Sequence, residues 1–290
     1  MSIDEARIRK LPCWNGRIEI TALSGGLSNA NYIVTDAAGK HVVRFGQDYP
    51  FHHVFREREV MVARAAHTAG FAPAVEYAEA GVMVTAFVDG RTFSGEDVKR
   101  NAGRIGQLMR RFHATMPLFV SGPGFMFWVF HVIRDYAQTL KPAVLSVFLA
   151  QSSAFEAAQV PLPIVFGHHD LLPANFIEDG TKIWLIDFEY AGFGTAMFDL
   201  AGASSNAQMN VDEQMQLLEA YFGVKPDVAV LKSFAAMECA SLLRETLWAK
   251  VSGHFLAAPG VDYDAYATDN LTRYTAALEL YQTRYGKITA

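Results

Sequence analysis

At 290 residues, with 51% hydrophobic and 19% charged residues, the chain carries enough apolar side chain for a sizeable core, which excludes an intrinsically disordered protein. Its formal charge of −5, with 25 Lys+Arg and no long basic run, argues against a nucleic-acid backbone as the main partner. Cys13 and Cys239 stand in no metal-ligand spacing, and neither an apolar leader nor a bilayer-length run is read, so a reducing, cytoplasmic setting without a membrane partner is expected.

The first third of the chain reads as strand-rich. Residues 18–23 and 31–35 are β-branched or apolar runs separated by Ser24-Gly25-Gly26-Leu27-Ser28-Asn29, which is strong turn chemistry. Residues 40–45 form a Val-rich third run. Residues 55–69 predict a helix ended by Gly70 and Pro73, and residues 82–88 predict a strand closed by Asp89-Gly90. From about residue 95 the pattern turns helical. Ile105, Leu108, Met109 and Phe112 recur at helical spacing up to His113. Residues 130–150 predict a second helix, and residues 231–251 a third, apolar nearly all round and therefore buried. Between these lie short β-like runs at 164–166, 175–177 and 183–186. The expected class is α+β and two-lobed. A small N-terminal antiparallel sheet lobe covers residues 1–88, a connector lies near residues 86–91, and a larger helical lobe covers residues 89–290.

The chemistry concentrates in His168-His169-Asp170-Leu171-Leu172-Pro173-Ala174-Asn175 and the Asp187 that follows Trp184-Leu185-Ile186. Phosphoryl transfer needs an acceptor hydroxyl held in line, a group to take its proton, and Mg²⁺ to neutralise phosphate charge. An Asp and an Asn five apart on one loop can supply the base and a metal oxygen, and an Asp at a strand end can complete the metal site. His168 is expected to hold the loop through hydrogen bonds. Any one of these residues alone is an ordinary turn residue. The joint pattern H-x-D-x4-N, then a strand, then I-D-F matches the kinase catalytic-loop signature with its metal-binding Asp.

The upstream lobe offers independent checks. Gly25, Gly26, Ser28 and Asn29 sit between two predicted strands, where backbone N–H groups can approach phosphates. Arg44, in Val42-Val43-Arg44-Phe45, is the candidate phosphate cation, with Glu59 as its helix partner and Glu57 as the competing choice. Residues 85–88 form the candidate hinge, with Ala86 and Val88 offering backbone groups to adenine.

The order GGLSNANY, VVRF, REREV, hinge strand, GHHDLLPANF and LIDFEYAGFGTAMFDLA resembles the choline/ethanolamine kinase family, which belongs with the aminoglycoside phosphotransferases in the protein-kinase-like fold. The resemblance spans about residues 20–275. It implies Asp170 as catalytic base, Asn175 and Asp187 as Mg²⁺ ligands, and Arg44 with Glu59 as anchors of the ATP phosphates. It implies that Glu189 orients the metal site or senses a cationic substrate, and that Phe198-Asp199-Leu200 braces the catalytic loop. Only about ten residues separate Asp187 from Phe198, too few for a protein-kinase activation segment. The acceptor is therefore expected to be small.

A cationic amino alcohol calls for aromatic faces and carboxylates. The helix over 231–251 places Glu238, Ser241, Glu245 and Trp248 on one face, with Arg244 able to pair with a carboxylate and remove it from substrate duty. Tyr266 matches the family's aromatic segment, and Tyr190 can add surface beside Glu189. Choline kinases of the eukaryotic type show W-x-x-W on this helix, whereas the second position here is Val251, which leaves ethanolamine or another amino alcohol open. Thiamine and aminoglycosides are acceptors of sister activities, and a pseudokinase interaction module is the reading from another class.

Overall fold

The computed structural model describes residues 3–23, 30–140, 145–256 and 261–288. A short helix α1 (Ile3–Ile8) precedes strands β1 (Glu19–Leu23), β2 (Ala30–Thr35) and β3 (Lys40–Phe45). Helix α2 (Arg56–Thr68) leads to β4 (Val75–Glu79) and β5 (Val82–Ala86). These strands form one antiparallel sheet in the order β1-β2-β3-β5-β4, with Asn31 opposite Arg44 and Arg44 opposite Met83. The two-residue side-chain period of a strand decides the lobe's layout. Val43, Val84 opposite it on β5, and Val34 two residues along β2 from its partner Tyr32 point to one face and close a small core with Ile8, Leu11 and Ile18. Arg44 therefore points to the other face, toward α2.

Strand β6 (Arg91–Thr92) begins the second lobe, followed by α3 (Gly95–Arg100), α4 (Ala102–Thr115), α5 (Val129–Leu140) and α6 (Leu145–Ala157). Four short strands come next: β7 (Ile164–Gly167), β8 (Phe176–Glu178), β9 (Ile183–Leu185) and β10 (Gly192–Thr195). The chain ends in α7 (Ala196–Ala207), α8 (Val211–Phe222), α9 (Val228–Phe255) and α10 (Tyr263–Tyr285). Strand β7 pairs with β10, and β6, β8 and β9 form a small sheet. The architecture is the expected α+β, two-lobed one.

Helix α9 is buried nearly all round, since its apolar residues fall on every face, with Phe234, Met237, Leu243, Leu247 and Val251 all in the core. It packs against α5, α7 and α10. Among the described residues, no helix is long and apolar enough to cross a membrane.

Several expectations need correction. Of the expected helix over 130–150, the described residues show α5 up to Leu140 and α6 from Leu145, and residues 141–144 lie outside the described residues. The strand over 82–88 ends at Ala86. Strand β4 and helices α1, α7, α8 and α10 were not foreseen as elements. The glycine loop, with Gly25, Gly26, Ser28 and Asn29, lies outside the described residues.

Candidate active site

The H-x-D-x4-N segment follows β7 directly, and its shape is set by a carboxylate from another element. Asp199, in the first turn of α7, accepts the backbone N–H of His168 at 2.8 Å and that of His169 at 2.7 Å. His113 Nε2 lies 2.8 Å from the same carboxylate, and its Nδ1 meets the Tyr221 hydroxyl at 2.8 Å. Burial opposes an ionised Asp199, yet the His113 hydrogen bond and the surrounding histidines hold its carboxyl well below the usual range. The bracing role that the resemblance implied for Asp199 thus has a geometry. It satisfies two backbone donors that would otherwise be stranded in the core.

His168 is fully buried, and its Nε2–H donates to the Ile186 carbonyl at 2.9 Å, tying the loop to the segment after β9. His169 adopts φ = 62°, a left-handed conformation that non-glycine residues rarely hold without support. Its ring stacks on Phe127 with centroids 4.5 Å apart. Gly167 and Gly194 flank that ring so closely that a Cβ on either would collide with His169 Nε2, so both positions require glycine.

These supports place Asp170. Asn175 Nδ2 donates to the Asp170 carbonyl at 2.7 Å and to its Oδ2 at 3.2 Å, which turns the amide oxygen of Asn175 away from Asp170. Burial, then the charge of Asp187, raises the Asp170 carboxyl well above its ordinary range. Asp187 holds φ = 67°, a second left-handed residue. Mutually repelling carboxylates beside an outward-facing amide oxygen make a donor set suited to a hard cation with oxygen ligands.

Arg44 joins the two lobes. Its Nη1 donates to Asp187 Oδ1 at 2.7 Å, and its Nη2 donates to Glu189 Oε2 at 2.9 Å. Nη1 also lies 2.8 Å from Glu59 Oε1, an ion contact without the alignment of a hydrogen bond. Glu59, not Glu57, is therefore the partner of Arg44. Glu59 is 2% exposed, whereas Glu57 faces solvent. Arg56, unassigned from sequence, closes the network through Nη1 to Glu59 Oε2 at 2.6 Å and Glu189 Oε2 at 2.8 Å. Glu189 is thus held by two guanidinium groups on the Asp187 side of the site. A cavity of about 720 Å³ opens behind this network, lined among others by Val60, Met61, Arg64, Val82 and Met83; Asp170 does not line it.

At the candidate hinge, the Ala86 N–H donates to the Ala74 carbonyl and the Phe87 N–H to the Lys40 carbonyl, both inside the sheet. Ala86 can therefore offer a base only its carbonyl. Val88 lies just past the end of β5.

The candidate substrate residues converge. Trp248 Nε1–H donates to the Tyr190 hydroxyl at 2.9 Å, and the Trp248 ring lies edge-on to Tyr266 at 5.9 Å. The Tyr266 hydroxyl donates to Glu245 Oε2 at 3.0 Å. Arg244 Nη1 donates to Glu245 Oε1 at 2.5 Å, the pairing considered from sequence. Glu238 and Ser241 do not join this group. They turn to α7, where Glu238 accepts from Ser204 at 2.6 Å and Ser241 meets Ser205 at 3.3 Å.

His52, also not singled out from sequence, stacks on Trp248 with centroids 5.4 Å apart and bonds to the Tyr136 and Ser252 hydroxyls. Burial, aided by the charge of Arg244, pushes the His52 pKa down to about 3. Its folded pKa lies below the unfolded value of about 6.5. The stability that the neutral ring provides is complete above pH 6.5 and is lost as pH falls from there toward 3. Between pH 6.5 and 5 this histidine should remove about 2 kcal/mol of unfolding free energy. Urea midpoints across that range should show a flatter acid limb in His52→Gln; parallel limbs would refute the assignment.

A sheet-lobe Arg bound to a helix Glu, an Asp–Asn loop, and an Asp after a short strand define a phosphotransferase with a kinase-like site. The chain belongs to the phosphotransferase enzyme family, whose profile matches residues 19–232. It is 30% identical to a choline/ethanolamine kinase family protein from Mesorhizobium loti, with a TM-score of 0.77 and coverage of 96% of this chain and 95% of that one. It is 26% identical over 273 residues to "Probable ethanolamine kinase" of Arabidopsis thaliana, covering 81% of this chain and 70% of that protein. The choline kinase LicA from Streptococcus pneumoniae shares the fold at a TM-score of 0.78 and 20% identity, with 96% and 98% coverage. These matches place the chain among choline/ethanolamine-kinase-like small-molecule kinases, and membership of a kinase family implies use of ATP.

Proposed function

We propose that this chain is a cytoplasmic, Mg²⁺-dependent ATP kinase that phosphorylates the hydroxyl of a small amino alcohol, with choline and ethanolamine as the reference acceptors. The observation that carries the reading is the braced loop. Asp199 fixes the backbone of His168 and His169, and Asn175 fixes Asp170, within reach of Asp187's charge. In this reading residues 1–88 hold the nucleotide, with Arg44 and Glu59 at its phosphates and the Ala86 carbonyl and Val88 at its base. Residues 89–290 hold the acceptor.

Asp170 accepts the proton of the acceptor hydroxyl as its oxygen bonds to the γ-phosphorus and the bond to the ADP oxygen breaks. A raised carboxyl pKa suits a group that must take up a proton near neutral pH. Asn175 and Asp187 are the residues that would hold Mg²⁺, which supplies neutralisation of phosphate charge. Arg44 carries the complementary positive charge from the protein. Tyr190, Trp248 and Tyr266 offer aromatic surface to an ammonium group, and Glu245 a carboxylate.

ADP release measured with choline, ethanolamine, thiamine and an aminoglycoside tests the reading. Turnover of an amino alcohol supports it. Turnover of thiamine or the aminoglycoside alone would move the chain to a sister activity, and nucleotide binding without any turnover would make it a pseudokinase module. Trp248→Ala should raise KM for a cationic acceptor about tenfold and leave KM for ATP nearly unchanged. Equal effects on both would remove Trp248 from the acceptor site.

A further inference from the structure

One charge beside the acceptor residues is left unused by a plain amino alcohol. Arg244 lies on α9 next to Glu245, is 2% exposed, and has its Cζ 4.4 Å from the centre of the Tyr190 ring. Its Nη1 is occupied by Glu245 at 2.5 Å. Its Nε and Nη2 are shut off from water and find no hydrogen-bond partner among the described residues. Buried donors are rarely left unpaired, and a guanidinium edge is a planar pair of N–H groups that matches a carboxylate. The charges of Arg244 and Asp170 act on each other. The guanidinium therefore shares one electrostatic neighbourhood with the candidate base.

Among the described residues, Glu245 is the carboxylate in direct contact with this cation, while Asp170 acts on it only through its charge. Glu245 takes Arg244 on Oε1 and the Tyr266 hydroxyl on Oε2. A plain ammonium alcohol entering beside Tyr190 and Trp248 would meet the fixed positive charge of Arg244 with no negative charge of its own to offer. A zwitterion would not. An adjacent buried cation and anion are complementary to a ligand that carries both charges on neighbouring atoms.

We propose that the acceptor carries a carboxylate as well as an amine, that is, a small hydroxy amino acid, and that Arg244 binds its carboxylate through Nε and Nη2. The ammonium then lies by Glu245 and the aromatic faces of Tyr190 and Trp248, and the hydroxyl lies at Asp170. This assignment rests on the kinase reading and narrows its acceptor. The chemical step is the same: the hydroxyl proton passes to Asp170, the new oxygen–phosphorus bond forms, and ADP leaves.

Matched pairs that differ only by the carboxylate isolate the effect: ethanolamine with L-serine, 3-aminopropan-1-ol with L-homoserine, and 1-aminopropan-2-ol with L-threonine. Each is assayed for phosphorylation with ATP, and for binding by calorimetry in the presence of ADP. The carboxylated member of at least one pair should be preferred about 10- to 100-fold in kcat/KM and in Kd, the range of a hydrogen-bonded charge pair. Arg244→Met should abolish that preference while leaving KM for ATP unchanged. Arg244→Lys keeps the charge without the planar fork and should retain only part of it; it decides the question should Arg244→Met fail to fold. Preference for the plain member in every pair overturns the proposal. So does binding of neither member of any pair, or an unaltered preference in the Arg244 variants. Selective binding of the carboxylated member without phosphorylation leaves the role of Arg244 intact and sinks the kinase reading instead.

Discussion

Asp170→Asn is expected to lower kcat for the acceptor by about 10²- to 10⁴-fold, the range assigned to a positioned general base, while nucleotide affinity stays within about twofold. The substitution preserves the local geometry because an amide oxygen still accepts from Asn175 Nδ2, which lies 3.2 Å from Asp170 Oδ2. It also removes a carboxylate that burial and the neighbouring Asp187 make costly to ionise. Thermal stability should therefore hold or rise. Retained stability together with lost turnover distinguishes a chemical role from a structural one. The variant would be assayed by ADP release, by titration of a fluorescent nucleotide and by thermal unfolding. Activity within tenfold of the parent would exclude Asp170 as the base.

Arg44→Met should produce the largest loss of stability, about 3–5 kcal/mol, because removing one partner of a buried ion cluster leaves the remaining charges uncompensated. The cluster gathers Glu59, Asp187 and Glu189 around Arg44, with Arg56 on its far side. Arg44→Lys restores a charge but cannot reach two carboxylates with one planar fork, so it should fall between the two. The deficit of Arg44→Met should shrink in acid, because burial and then the charge of Asp187 already hold the Glu189 carboxyl above its ordinary range, and its protonation removes one of the repelling charges. Glu57→Gln, on the exposed side of α2, should change stability by less than about 0.5 kcal/mol. Urea midpoints at pH 7.5 and 5.5, with KM for ATP alongside, measure both consequences. An Arg44→Met variant as stable as Glu57→Gln would refute the cluster.

The sites legible in the sequence were those whose residues lie close together along the chain. His168, Asp170 and Asn175 share one loop, and Asp187 follows a strand whose apolar residues read plainly. Arg44 was found because it interrupts a Val-rich strand, and Glu59 because it stands in the first turn of a helix. The strand period then puts Arg44 on the face opposite Val43, where α2 lies. Helix α7 was missed because AMFDLAGASSNA is buried on every side and shows no amphipathic stripe. Helix α10 was missed for the opposite reason, since its aromatic and polar residues alternate without a clean apolar face.

What the sequence by itself determined is the order of chemical groups along the chain and the kind of backbone each sits on. Hydrophobic period, turn residues and loop spacing are local properties and need no folded chain to be read. Tertiary structure decided the choice among alternatives that local pattern leaves equal. Glu59 outranks Glu57 because it is the one that faces Arg44. Glu189 is committed to Arg44 and Arg56, from 145 and 133 residues away. Asp199 reaches back 31 residues to hold His168. His52 lies beneath Trp248, and Arg244 stands beside Tyr190 and Glu245, through packing that no run of adjacent residues announces. The physical reason is that a charge or hydrogen bond is assigned by distance in space and by exclusion of water, and both arise only once the helices have closed around the loop.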